Sequence, residues 1–167
     1  MLDRRVFIGV GALGVALVGA GLFFWSDDED EIRELLDRLT RAVAPPSSGA
    51  ANPAFRALDL RGALRELFTA DAKVDAPELA ETGPLGVDEV VAASMRYGER
   101  YVGSSITLTR LGIEVSKGGE TGTCEALAVL EGGGAELGRR DERELRFDLV
   151  KVDGEWRIAR VTVGPRR

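Results

Sequence analysis

Residues 144–163 read ELRFDLVKVDGEWRIARVTV, and this stretch decides the fold. Leu145, Phe147 and Leu149 recur at every second position, the period of a strand with one face in a core and the other in water. Asp153-Gly154 follows. A two-residue type I′ turn needs positive φ at both central positions, which Asp-Gly adopts at low cost, so the chain is predicted to double back. Trp156, Ile158, Val161 and Val163 carry the return strand, with one slip of parity between Ile158 and Val161.

Working towards the N-terminus, the period of two persists. Thr121 to Leu130 alternates between flanking glycines, and Ser105 to Ser116 holds Ile106 and Leu108, then Leu111, Ile113 and Val115. Parity changes once there too, which predicts a bulge near Arg110. Before residue 100 the spacing becomes helical. Ile32, Leu35, Leu36, Leu39 and Val43 form one apolar stripe over 31–44, and Pro45-Pro46-Ser47-Ser48-Gly49 ends it. Leu60, Leu64, Leu67 and Phe68 predict a second helix capped by Asp59, and Val87, Val90, Val91 and Met95 a third. Residues 72–76 read as a short strand before Pro77. Helices first and long strands after, without strand-helix-strand alternation, predict an α+β domain: three helices packed on a strongly curved antiparallel sheet.

Val6 to Trp25 is a run of twenty residues without a charge. As a helix it would reach about 30 Å, the thickness of a bilayer core. Arg4 and Arg5 precede it and Asp27, Asp28, Glu29, Asp30 and Glu31 follow, so positive charge sits on the cytoplasmic side and the domain outside. The expected organisation is a membrane anchor or uncleaved export signal at 1–26, an acidic linker at 27–30 and one folded domain over 31–167. Cleavage after Val18-Gly19-Ala20 would leave a strongly apolar new terminus. Arg4-Arg5-Val6-Phe7-Ile8 also looks like a twin-arginine export signal, with Asp3 and Gly9 departing from its usual pattern.

Composition limits the chemistry. There is no histidine among the 167 residues, which removes histidine acid–base work, histidine metal ligation and Ser-His-Asp or Cys-His arrangements. The single cysteine cannot form an internal disulfide. With 28 acidic and 22 basic residues the net charge is −6, which argues against nucleic acid as a partner. Gly132-Gly133-Gly134 lacks the lysine, serine or threonine of a phosphate loop and reads as a hairpin tip. No metal or cofactor motif stands out. The mixed-sign block Arg139 to Arg146 reads as a solvated edge.

The order of helix, short helix ending Leu67-Phe68-Thr69-Ala70-Asp71-Ala72-Lys73-Val74, Gly86-led helix and terminal hairpin Val150 to Ile158 resembles the nuclear transport factor 2-like superfamily. That superfamily includes ketosteroid isomerases, SnoaL-type cyclases and dehydratases. The resemblance, over residues 31–163, implies a cystatin-like roll: a cone whose open end holds a ligand or active site, with dimers pairing through outer sheet faces. The isomerase base falls at Ala76 here, the residue before Pro77, and a methyl group takes no proton. The tyrosine that those isomerases carry on the first helix has no counterpart in 31–44, and the histidine-aspartate pair of the dehydratase and cyclase branches has none anywhere.

Four residues remain as weak catalytic candidates. Asp75 adjoins the missing base, although neighbours on a strand point to opposite sides. Tyr97 and Tyr101, at i and i+4 around the end of the third helix, offer phenols to a ligand oxygen. Glu125 is an interior carboxylate if its side of the strand faces the cone. If instead Cys124, Ala126 and Ala128 face the core, Glu125 lies outside, open to a dimer partner. Asp71 reads as a turn or cap residue, Cys124 as a core side chain, and Phe147 and Trp156 as core or cross-strand aromatics. The expected role is a membrane-tethered, non-catalytic binding or interaction domain on the outer side of the cytoplasmic membrane. Its expected partners are the membrane through Val6 to Trp25, a second copy or an envelope protein, and a small apolar ligand. The alternatives are a small-molecule isomerase, cyclase or dehydratase-like enzyme, and an assembly scaffold.

Overall fold

The computed structural model of the chain describes residues 27–45, 52–77, 83–98, 102–132 and 138–166. Helix α1 is described over 27–43; α2 spans Pro53–Leu67 and α3 Val87–Gly98, and the strands are β1 Phe68–Asp75, β2 Ser105–Val115, β3 Thr121–Glu131, β4 Arg140–Val152 and β5 Glu155–Arg166. The predicted stripe of α1 is buried, with Ile32 and Leu36 almost fully enclosed. The acidic residues 27–30, read as a linker, are helical and continuous with 31–43.

Helix α2 starts seven residues earlier than the Asp59 cap predicted. Asn52 is the actual cap, its Oδ1 accepting from the Ala54 N–H at 3.0 Å, with Pro53 in the first turn. Leu60, Leu64 and Leu67 bury its inner face, and Phe68 already belongs to β1. Helix therefore passes into strand without a loop. At α3 the Glu89 carboxylate accepts from the Gly86 N–H at 2.6 Å, closing the helix start.

The five strands form one sheet in the order β1-β5-β4-β3-β2. Three pairs are antiparallel, but β1 runs parallel to β5, pairing Val74 with Val161 and Asp75 with Thr162. This corrects the expected antiparallel, strongly curved roll: the sheet is mixed and open, with β1 and β2 as its edges. Alternation fixes which face a strand buries and carries no information on the direction of a partner distant in sequence. Phe68 and Ala72 from β1, Cys124 and Ala126 from β3, Phe147 and Leu149 from β4, and Trp156, Ile158 and Val161 from β5 meet the helices in one core. Each large apolar side chain enclosed there contributes about 1.5–3 kcal/mol.

Both predicted parity slips are bulges. Thr109 opposes Leu127 and Gly112 opposes Glu125, leaving Arg110 in the extra position at φ 54. On β5 Asp148 faces Arg160 and Leu149 faces Ile158, so Ala159 is the inserted residue. The turn residues Asp153 and Gly154 have φ 53 and 85, as a type I′ hairpin requires.

The expected membrane span lies on residues 1–26, outside the described residues. Among the described residues no helix is long and apolar enough to cross a membrane. The transmembrane helix, the membrane as partner, the single-pass location and the tethered role expected above are corrected accordingly. They have no support among the described residues, whose helices each bury an apolar stripe against the sheet.

Candidate functional site

A cavity of about 610 Å³ opens where the ends of β1, β3, β4 and β5 meet α3. Val74, Ala76 and Pro77 line it from the end of β1, Leu85 from the segment before α3, and Val90, Ala93 and Ser94 from α3 itself. Leu130 closes one side and Val163, Gly164 and Pro165 another. Reciprocal backbone bonds of 2.8 Å between Val74 and Leu85 hold the approach to α3 against β1.

Two charged residues stand in this apolar wall. Asp141 and Arg143, two apart on β4, share the inward face with Leu145, Phe147 and Leu149. Their side chains are 15% and 24% exposed, and Arg143 Nη2 lies 3.6 Å from Asp141 Oδ2. Asp141 Oδ1 is shut off from solvent. The reading of Arg139 to Arg146 as a solvated edge is thus corrected at these two positions. The signal was present: counting back by twos from Leu145 reaches Arg143 and Asp141. Dense charge on both parities concealed it.

A bulge shapes the floor of the cavity. Arg143 pairs with Arg166 and Leu145 with Val163, so Glu144 faces both Gly164 and Pro165. A Cβ at residue 164 would sit 3.1 Å from the Glu144 carbonyl oxygen, which explains glycine there, and Pro165 has no N–H for the ladder. Bulges that interrupt pairing beside a cavity re-aim side chains towards it.

Asp75 and Glu125 fall elsewhere. Asp75 is half-buried on the strand side opposite Val74 and Ala76, and does not line the cavity. Ala76, at the position matching the isomerase base, does. Cys124 and Ala126 face the core, so Glu125 lies on the outer sheet face, 74% exposed and 3.5 Å from Arg146. The side chain of Tyr97 and the whole of Tyr101 lie outside the described residues. Asp71 is exposed on β1. Burial pushes the Cys124 thiol up to about 11, with Arg33 lowering it and Glu125 raising it further, so the sulfur is a core group and no nucleophile. Among the described residues no group of three or more potential metal ligands converges.

The other depressions are more polar. An outer-face groove of about 340 Å³ is walled by Arg110, Glu125, Glu144 and Arg146. A furrow of about 720 Å³ beside the start of α3 is edged by Arg65, Asp88, Glu89, Asp153 and Arg157.

The family model of the SnoaL-like domain matches residues 52–162, which include α2, α3 and the whole cavity wall up to Thr162. The chain belongs to the SnoaL-like family. Its fold is that of the NTF2-like, cystatin-like proteins. An NTF2-like protein of cystatin-like fold from Novosphingobium aromaticivorans superposes with a TM-score of 0.63 at 20% identity, over 87% of this chain and 86% of that one. Two proteins of the same organism carry provisional enzyme names. One, an aromatic ring hydroxylase, has a TM-score of 0.56 at 18% identity over 84% and 92% of the two chains. The other, a scytalone dehydratase, has a TM-score of 0.55 at 15% identity over 83% and 86%. At these identities the likeness establishes shared architecture. Among curated proteins none matches this SnoaL-like chain in sequence.

Proposed function

We propose that this SnoaL-like protein acts, in the manner of an enzyme, on a small and largely apolar molecule held between α3 and the ends of β1, β4 and β5. The observation that carries the reading is the carboxylate of Asp141 beside the guanidinium of Arg143 in the wall of an apolar cavity. Cavities of several hundred Å³ with apolar walls and few convergent polar groups are the usual form of small-molecule sites. The provisional names of the two enzyme-like fold relatives agree with it. It replaces the binding-domain expectation. That rested on the leader, the absence of histidine and Ala76, whereas a carboxylate from β4 supplies acid–base chemistry without histidine and without a base on β1.

The chemistry that fits is proton transfer beside a carbonyl. The Asp141 carboxylate takes a proton from the carbon next to the carbonyl, and the electron pair of that C–H bond forms the C=C bond of an enolate. Arg143 N–H groups donate to the enolate oxygen as its charge develops. Arginine stays protonated throughout, so it acts only as a donor. Return of the proton to the same carbon gives exchange, and, in a ligand whose enolate is conjugated with a further C=C bond, delivery to the far carbon of that system gives isomerisation.

The test is exchange of the α-protons of 1-tetralone in D2O, followed by proton NMR with the full chain. The expected result is exchange above the buffer rate, reduced to that rate by Asp141→Asn. A wild-type rate equal to buffer for 1-tetralone and 2-tetralone alike overturns the proposal.

A further inference from the structure

The charged pair also selects the kind of molecule the cavity receives. We infer that the preferred ligand is uncharged and carries a hydroxyl next to a carbonyl on an apolar body, the carbonyl oxygen on Arg143 and the hydroxyl on Asp141. This rests on the small-molecule reading above and narrows it to a substrate class.

The argument is one of charge and complementarity. Carboxylate and guanidinium, with atoms 3.6 Å apart, offset one another. An anion attracted by Arg143 is therefore repelled by Asp141, and a cation the reverse, while either loses its hydration on entry. A neutral ligand escapes that penalty. The ionised carboxylate only accepts hydrogen bonds and the guanidinium only donates them. A ligand with a lone carbonyl serves Arg143 alone, and one with a lone hydroxyl serves Asp141 alone. Oxygens on neighbouring carbons lie close enough together to reach both groups with hydrogen bonds of about 2.7–3.2 Å. Val74, Ala76, Val90 and Val163 supply the apolar surface for the remainder, and about 610 Å³ accommodates a fused two-ring skeleton.

Isothermal titration of the full chain with four probes on one skeleton tests this: 2-hydroxy-1-tetralone, 1-tetralone, 2-tetralol and tetralin-1-carboxylate. The hydroxyketone is expected to bind about tenfold more tightly than either single-group probe, since each contact to an ionised group adds about that factor, with the carboxylate weakest. Arg143→Met is expected to bring the hydroxyketone to the level of 2-tetralol, and Asp141→Leu to that of 1-tetralone. The wild-type series decides the matter even if a variant fails to fold. Equal binding of hydroxyketone and 1-tetralone, or tightest binding of the carboxylate, overturns this inference and leaves the small-molecule site standing. Binding of none of the four overturns both.

Discussion

Replacing Asp28 by alanine removes the acceptor that ties α1 to the β4–β5 hairpin. The Asp28 side chain is buried, the residue 8% exposed, and its Oδ1 accepts from Trp156 Nε1 at 3.1 Å and from Lys151 Nζ at 2.5 Å. Lys151 also sits 5.3 Å from the centre of the Trp156 ring. Alanine leaves the indole N–H of a buried tryptophan without this acceptor, a cost of about 1–3 kcal/mol. The Lys151 side chain is 25% exposed and can rehydrate, so loss of the ion pair adds about 1 kcal/mol. The total is about 3 kcal/mol, or about 6–12 °C in Tm for a chain of this size. Asp28→Asn keeps an oxygen for the indole and gives up only the charge, at about 1 kcal/mol.

The same contact has a pH signature. The hydrogen bond from Lys151 to Asp28 raises the lysine above its ordinary 10.5, with the charges of Asp28 and Glu31 adding to it and burial opposing. A raised folded value means that this share of stability is complete below about pH 10.5 and disappears as pH rises through the folded value. Urea titrations of wild type, Asp28→Ala and Asp28→Asn at pH 7.5, with wild type and Asp28→Ala repeated up to pH 11.5, measure both effects. The gap between wild type and alanine variant should narrow above pH 10.5. An alanine variant within about 0.5 kcal/mol of wild type, or asparagine as costly as alanine, refutes the reasoning.

Two further outcomes follow from the core and the cavity. The Cys124 thiol, fully enclosed and raised to about 11, should fail to react with a disulfide reagent at pH 8 in the native chain and react fully in guanidinium; rapid native reaction would contradict its burial. Because its folded value lies above its ordinary 9.0, its contribution to stability should fall away between pH 9.0 and about 11. On α3, Ala93→Phe should fill the cavity and weaken hydroxyketone binding by at least about tenfold, whereas Asp71→Ala, on the exposed side of β1, should leave the titration unchanged.

Much of this architecture was legible in local patterns. The hairpin at Asp153-Gly154, the bulges at Arg110 and Ala159 and the buried stripes of the helices follow from period and turn chemistry, which act over a few residues. The start of α2 is less legible because Asn52-Pro53 closes a Pro-rich stretch and Asp59 offers a second capping carboxylate just before the apolar stripe. The site was less legible. Its carboxylate and guanidinium sit in a block charged on both parities, so the period that runs back from Leu145 through Arg143 to Asp141 is masked by Arg140, Glu142 and Glu144.

What the sequence determined alone was the set of elements, the faces they bury, and a chemistry without histidine. Only the tertiary structure decided that β1 lies parallel to β5 and that Ala76, Ser94, Asp141 and Arg143 border one cavity. The physical reason is distance along the chain. Periodicity reports how a residue faces its own element, whereas a site is built where elements far apart in sequence meet, and which ones meet is settled by the packing of the whole core.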